Sequence, residues 1–309
     1  AWMETQLRGL NHAPVAPIEQ LRAWERSCLL RARTAAGPVY LKAVPALFAR
    51  EPRLTRELAA RHPARGPRLL AVDDERGWML MADFGGRGLD RVPEVARWEE
   101  ALRRYAALQI DSVGWRDRLI TLGCPFRPLE DLAAGIAPLL SDTDALLLDR
   151  DGGLTSDQIV NLRALAPQLE AACAELAGYA PPYALEHGDL HPANIIATDD
   201  GDILFFDWSD SSVAHPFLSL VRDFFAEAAR VLPDVPDLRA RLRDAYLEPW
   251  TAFAPPERLV AAFELAQALA PLHYAVGYHR FILPRLGARW EMERMLPYFL
   301  KMLLAPESS

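Results

Sequence analysis

The chain has 309 residues, enough for two domains or one bilobed unit with ample material for a core. Its 51% hydrophobic and 25% charged residues, with a net charge of −8, exclude a disordered chain and a strongly basic nucleic-acid binder. Cys28, Cys124 and Cys173 form no C-x-x-C pair, which argues against a disulfide-stapled or zinc-fingered scaffold.

Taken from the start, residues 1–84 read as strand-rich. Ala13 to Trp24 and Ser27 to Thr34 are two predicted strands, and Ala36-Gly37-Pro38 turns into a third, Val39-Tyr40-Leu41-Lys42. A lysine closing an apolar strand is costly unless its ammonium finds a partner. Lys42 and Lys301 are the only two lysines in a chain that otherwise uses arginine, so Lys42 is a candidate for a specific role. Pro52 suits a first helical position and predicts a helix from Pro52 to about His62. Glu51 stands at its start, where the helix dipole alone would also favour it, and Glu57 lies further on. Gly77 to Phe84 reads as a strand that leaves through Gly85-Gly86.

From Pro93 the pattern turns helical. Val95, Trp98, Leu102, Tyr105 and Leu108 or Gln109 recur at three- and four-residue steps. Asp131 to Leu148 is a second helical segment, Asp151-Gly152-Gly153 breaks it, and Thr155-Ser156-Asp157-Gln158 is a capping box opening a helix to about Ala177. Beyond the next stretch, helices are expected over Phe217–Leu232, Leu238–Phe253, Glu257–Leu283 and Ala288–Leu304. No apolar run approaches 18 residues, and the first residues lack a basic region followed by an apolar one. The expectation is a soluble, cytoplasmic protein without membrane or nucleic-acid partners.

Between these halves lies His187-Gly188-Asp189-Leu190-His191-Pro192-Ala193-Asn194. A β-branched run, Ile195 to Thr198, the turn Asp199-Asp200-Gly201-Asp202 and a second strand, Ile203 to Phe206, then predict a hairpin that returns Asp207 beside Asn194 and Asp189. An aspartate and an amide together suit a hard cation such as Mg²⁺, which takes oxygen ligands. The other carboxylate is free to accept a proton. Two plainer readings compete: a polar surface hairpin, and a metallohydrolase-like cluster of His187, Asp189 and His191, which Pro192 interrupts.

This stretch resembles the kinase catalytic loop H-R-D-L-x-x-x-N followed by a metal-binding aspartate. Glycine for arginine at Gly188, and Asp207-Trp208-Ser209 in place of D-F-G, make it similar to the aminoglycoside phosphotransferase and choline kinase branch rather than to protein kinases. The resemblance implies an α+β, two-lobed kinase-like fold: a small nucleotide-binding lobe over residues 1–84, and a mainly helical lobe, 85–309, carrying the hairpin and the acceptor region. It implies ATP and Mg²⁺ as cofactors and a small-molecule hydroxyl as acceptor. Asp189 would be the catalytic base, Asn194 and Asp207 would hold Mg²⁺, and Lys42 with Glu51, favoured over Glu57, would fix the phosphates. Backbone groups of Ala82, Asp83 and Phe84 would meet the adenine edge, with Met81 behind the ring. Two departures stand out. The link Arg22 to Ser27 has no glycines to cover the phosphates, and Ser209 replaces an acid that many relatives carry. No G-x-G-x-x-G or Walker-type loop occurs, so neither a dinucleotide fold nor a P-loop fold is supported. A binding-only pseudokinase is the alternative reading.

Residues 1–84 hold 13 basic and 9 acidic side chains, against 21 and 33 in the rest. That asymmetry predicts a cationic, amine-bearing acceptor drawn to the second lobe, with Asp210, Asp223 and Glu227 as candidate partners. The acceptor's identity, the choice of ATP over GTP and the oligomeric state are not written in the sequence.

Overall fold

The computed structural model describes residues 1–63, 65–287 and 292–304. The chain begins with a helix, α1 (Trp2–Gly9), ahead of the first predicted strand and not itself expected. Met3 and Leu7, four residues apart, turn one apolar stripe inward. Five strands follow, β1 (Glu19–Ala23), β2 (Cys28–Thr34), β3 (Gly37–Ala43), β4 (Leu69–Asp73) and β5 (Trp78–Ala82), with α2 (Arg50–Arg61) between β3 and β4. They form one antiparallel sheet in the order β1-β2-β3-β5-β4. The predicted strand from Ala13 shrinks to five residues because Pro14 and Pro17 have no amide to give a ladder. Val39 and Leu41 join Met3, Leu7, Ala32 and Leu80 in a small core. The two-residue alternation of β3 therefore turns Tyr40 and Lys42 to the opposite face, toward the second lobe.

The second lobe opens with β6 (Gly86–Gly88) and α3 (Val95–Val113), whose predicted stripe of Trp98, Leu102, Tyr105 and Gln109 is fully buried. A short helix, α4 (Arg116–Thr121), comes next, and two more, α5 (Leu129–Ala134) and α6 (Ile136–Ser141), stand where one segment from Asp131 to Leu148 was expected. At Gly135, between the last two, a side chain would press into Val276. Next is α7 (Ser156–Ala177), opened by the predicted capping box: Thr155 Oγ1 accepts from Gln158 N–H, and Gln158 Oε1 from Thr155 N–H. Four short strands follow: β7 (Ala184–Glu186), β8 (Ile195–Thr198), β9 (Ile203–Phe205) and β10 (Ser212–Ala214). β8 and β9 form the predicted hairpin with β6 alongside, and β7 pairs with β10.

Helices α8 (Arg222–Val231), α9 (Leu238–Leu247), α10 (Pro256–Gly277) and α11 (Met295–Leu304) complete the lobe. Prolines trim the longer predicted spans: Pro216 and Pro249 start 3₁₀ turns before α8 and after α9. The first residues of the helix expected over Ala288–Leu304 lie outside the described residues. The continuous helical stretch Pro256–Arg285 has a mean hydropathy of 1.3 in its most apolar window, enough by composition to cross a membrane, although no long apolar run was expected. Of that window 67% is buried, in the lobe's core, where Phe217, Phe225 and Tyr246 pack against Phe263 of this helix. The architecture is α+β in two lobes, with the hairpin facing the sheet across a cleft.

Candidate active site

The loop from His187 to Asn194 joins β7 to β8 and is fixed by its own backbone chemistry. Glu186, fully buried at the end of β7, accepts from Gly188 N–H at 2.7 Å and from Ser212 Oγ at 2.8 Å. Burial would raise Glu186, but His273, Arg127 and Ser212 outweigh it and hold the carboxyl at about 2. Gly188 has φ +81°, and a side chain there would collide with the Asp210 carbonyl. This explains glycine at a position where protein kinases have arginine.

His187 is fully buried against Trp208, with ring centroids 4.4 Å apart. Its Nδ1 accepts from Asp189 N–H at 3.3 Å, so Nε2 carries the proton and donates to Phe206 O at 2.9 Å. Burial holds this imidazole neutral, with its pKa down at about 4. His187 is thus a brace tying the loop to the hairpin's end, and it is not one of a row of metal ligands. Among the described residues, no group of three or more His, Cys, Asp or Glu could hold a metal ion.

Two predicted residues converge on Lys42. Its Nζ lies 2.7 Å from Glu51 Oε1 and 2.7 Å from Asp207 Oδ1, joining sheet, α2 and hairpin. Glu57 instead pairs with Arg61 and Arg118, so Glu51 is the partner. Burial lifts Glu51 to about 7 despite Lys42. At Asp207 burial would also raise the carboxyl, but Lys42 outweighs it and holds the pKa at about 2. Asp207 takes the left-handed backbone, φ +64°, an uncommon conformation for a non-glycine residue that turns its carboxylate back over the loop.

Asn194 Nδ2 donates to Asp189 O at 2.9 Å, which leaves its amide oxygen uncommitted. Lys42 and Ser209 both bind Asp207 Oδ1, leaving Oδ2 uncommitted. An amide oxygen and a carboxylate oxygen fit Mg²⁺, which is commonly held by one or two carboxylates plus phosphates and water. Asp189 keeps 50% of its side chain open to the cleft. The walls nevertheless crowd out bulk water, and with the Asp210 charge nearby they push its carboxyl up to about 6.

A pocket of about 350 Å³ lies between the sheet and the hairpin, lined by Tyr40, Lys42, Met81, Asp83, Phe84 and Asp207 among others. Ala82, predicted here too, does not line it, and its amide is spent on Arg68 O at 3.0 Å; the amide of Asp83 is spent on Pro38 O. The link between β1 and β2 closes the pocket with Arg22 and Trp24, the guanidinium stacked 3.7 Å from the indole ring. Arg26, from the same link, crosses the cleft to ion-pair with Asp210, and reaches Tyr278 OH at 3.2 Å. The link has no glycines, and side chains take their place. The one signal was the pair of arginines in that link.

A model of the phosphotransferase enzyme family matches residues 30–259 of the chain. Among solved structures, macrolide 2'-phosphotransferase MphH from Brachybacterium faecium is 16% identical with a TM-score of 0.62, covering 100% of this chain and 99% of that one. Choline kinase LicA from Streptococcus pneumoniae is 15% identical with a TM-score of 0.59, covering 98% of each. Plasmodium vivax ethanolamine kinase is 13% identical with a TM-score of 0.61, covering 94% and 82%. No curated protein is similar to the chain by sequence at a significant level. At such identities these neighbours speak for the two-lobed, kinase-like fold, while the family match extends from β2 into α10 and takes in Lys42, Glu51, the catalytic loop and the hairpin, but not the link from Arg22 to Ser27. The chain belongs to the phosphotransferase enzyme family, and it is a small-molecule kinase.

Proposed function

We propose that the enzyme moves the γ-phosphoryl group of ATP to a hydroxyl of a small molecule. The observation that carries this reading is the Lys42 ammonium, held 2.7 Å from both Glu51 and Asp207 at the edge of the pocket. A buried ammonium between two carboxylates is a fixed positive charge aimed where a triphosphate would lie. Residues 1–84 are the nucleotide lobe, and Met81, Asp83 and Phe84 border the base. Asn194 and Asp207 would hold Mg²⁺, which when bound neutralises phosphate charge. Asp189 accepts the proton of the acceptor hydroxyl. The acceptor oxygen forms a bond to the γ-phosphorus as the bond to the β–γ bridging oxygen breaks, and ADP leaves. Little else is required, because phosphoryl transfer depends mainly on positioning and electrostatics.

Calorimetry with MgATP on three proteins tests this division of labour. Asp207→Ala should lose MgATP binding, whereas Asp189→Asn should bind like wild type yet turn over acceptor about 10²–10⁴-fold more slowly. Equal binding by both variants would refute the assignment of roles. Intact MgATP binding with no phosphorylated product from any hydroxyl compound would favour a pseudokinase.

A further inference from the structure

On the other side of the catalytic loop lies a second cleft, and its charge is positive. A narrow opening bounded by Gly188 and Asp210 is lined by Arg50, Arg127 and Tyr278. Arg50, Pro125, Phe281 and Ile282 also line the next cavity, so the opening continues into a space of about 520 Å³ that Phe48 and Arg285 complete. Three separate elements supply these arginines: the start of α2, the loop before α5 and the turn after α10.

None of the three has a carboxylate partner among the described residues. Arg50 gives one N–H to Leu47 O at 3.1 Å, and its Nε is buried without a partner. Arg127 donates to His273 O, and Arg285 to Arg280 O and Phe281 O. Among the described residues Asp210 is the one acid lining either cavity, and Arg26 holds it. Glu186, the buried acid behind Arg127, is committed to Gly188 and Ser212. Arg50 and Arg127 are half-buried and Arg285 is exposed, so a ligand that brings negative charge would offset the cost of drawing the first two guanidinium groups from water. Their planar donor forks match a carboxylate or a phosphate.

We propose that the acceptor carries an oxyanion group, a carboxylate or a phosphate, in addition to its hydroxyl, and that Arg50, Arg127 and Arg285 bind it. The proposal rests on the phosphotransferase reading above and gives that reading a substrate class. It runs against the amine expected from the acidic second lobe. Of the acids named for that role, Asp223 and Glu227 line neither cavity, and Asp223 is bonded by Tyr298 OH. A lobe's net charge does not fix the sign of one cleft.

Gluconate, glucose 6-phosphate, choline and glucose, titrated into full-length enzyme saturated with a non-hydrolysable MgATP analogue, provide the test. One or both anions should bind, with the stronger of the two identifying carboxylate or phosphate, and choline and glucose should not. Arg127→Gln and Arg285→Gln should each weaken anion binding by about tenfold or more, since a charge-assisted hydrogen bond is lost. Arg285 is exposed, so its variant stays informative if the Arg127 variant fails to fold. No heat from either anion, choline binding instead, or anion binding unchanged in Arg285→Gln would overturn the proposal. If the analogue itself fails to bind, the nucleotide reading fails, and the same titrations without it still decide the anion site.

Discussion

At the scale of single residues, Asp189 carries the sharpest pH signature. Its carboxyl is raised to about 6 by the crowded cleft and by Asp210, and it accepts a proton only when ionised. We predict that kcat/KM falls about tenfold per pH unit below that value and is flat above it, as for an essential base in the free enzyme. A profile level from pH 5 to pH 7 would exclude Asp189 as that base. The shift acts on stability in the opposite sense to that of Asp207. A raised carboxyl binds its proton more tightly when folded, so this contribution to stability declines as pH rises from about 4 to about 6. Asp207, held at about 2, stabilises the fold above its ordinary range and loses that contribution as pH falls toward about 2. That Asp189, Asn194 and Asp207 come together was legible because a hairpin of that length returns the chain to its start. Their pKa values were not, since they arise from neighbours such as Lys42, 165 positions away from Asp207.

Among elements, the link between β1 and β2 ties the two lobes together through Arg26. Arg26 and Asp210, 184 positions apart, keep 10% and 8% of their side chains exposed. Removing one partner of a buried pair leaves an uncompensated charge, at a cost of about 3–5 kcal/mol. Thermal unfolding should therefore show Arg26→Met strongly destabilised, and Arg26→Met/Asp210→Asn recovering much of the loss. Additive effects of the two substitutions would mean that the pair is not coupled. No periodicity could announce this bridge. The same holds for β7 and β10, three residues each, whose pairing is fixed by the surrounding core. α1 escaped notice for another reason: eight residues with two core positions give a helical period too few repeats to stand out. The Pro52 helix start and the Thr155 capping box were readable because their signals are local.

Over the whole molecule, the two-lobed layout followed from strand patterns giving way to helical ones after Gly86, while the Arg26 bridge and the arginine cleft needed three dimensions. One consequence concerns reagents rather than substrates. Lys42 is 11% exposed and doubly paired, and the charge of Glu51 and Asp207 outweighs burial to keep it protonated. Only an unprotonated amine attacks an acylating ester, so of the two lysines Lys301 should be labelled first. Acylation of Lys42 then requires the lobes to part, which makes its modification rate a clock for opening of the cleft. Peptide mass spectrometry after timed exposure should find Lys301 modified early, Lys42 late, and Lys42 later still with MgATP present. Equal rates at both positions would mean that the cleft breathes freely on the timescale of the reagent.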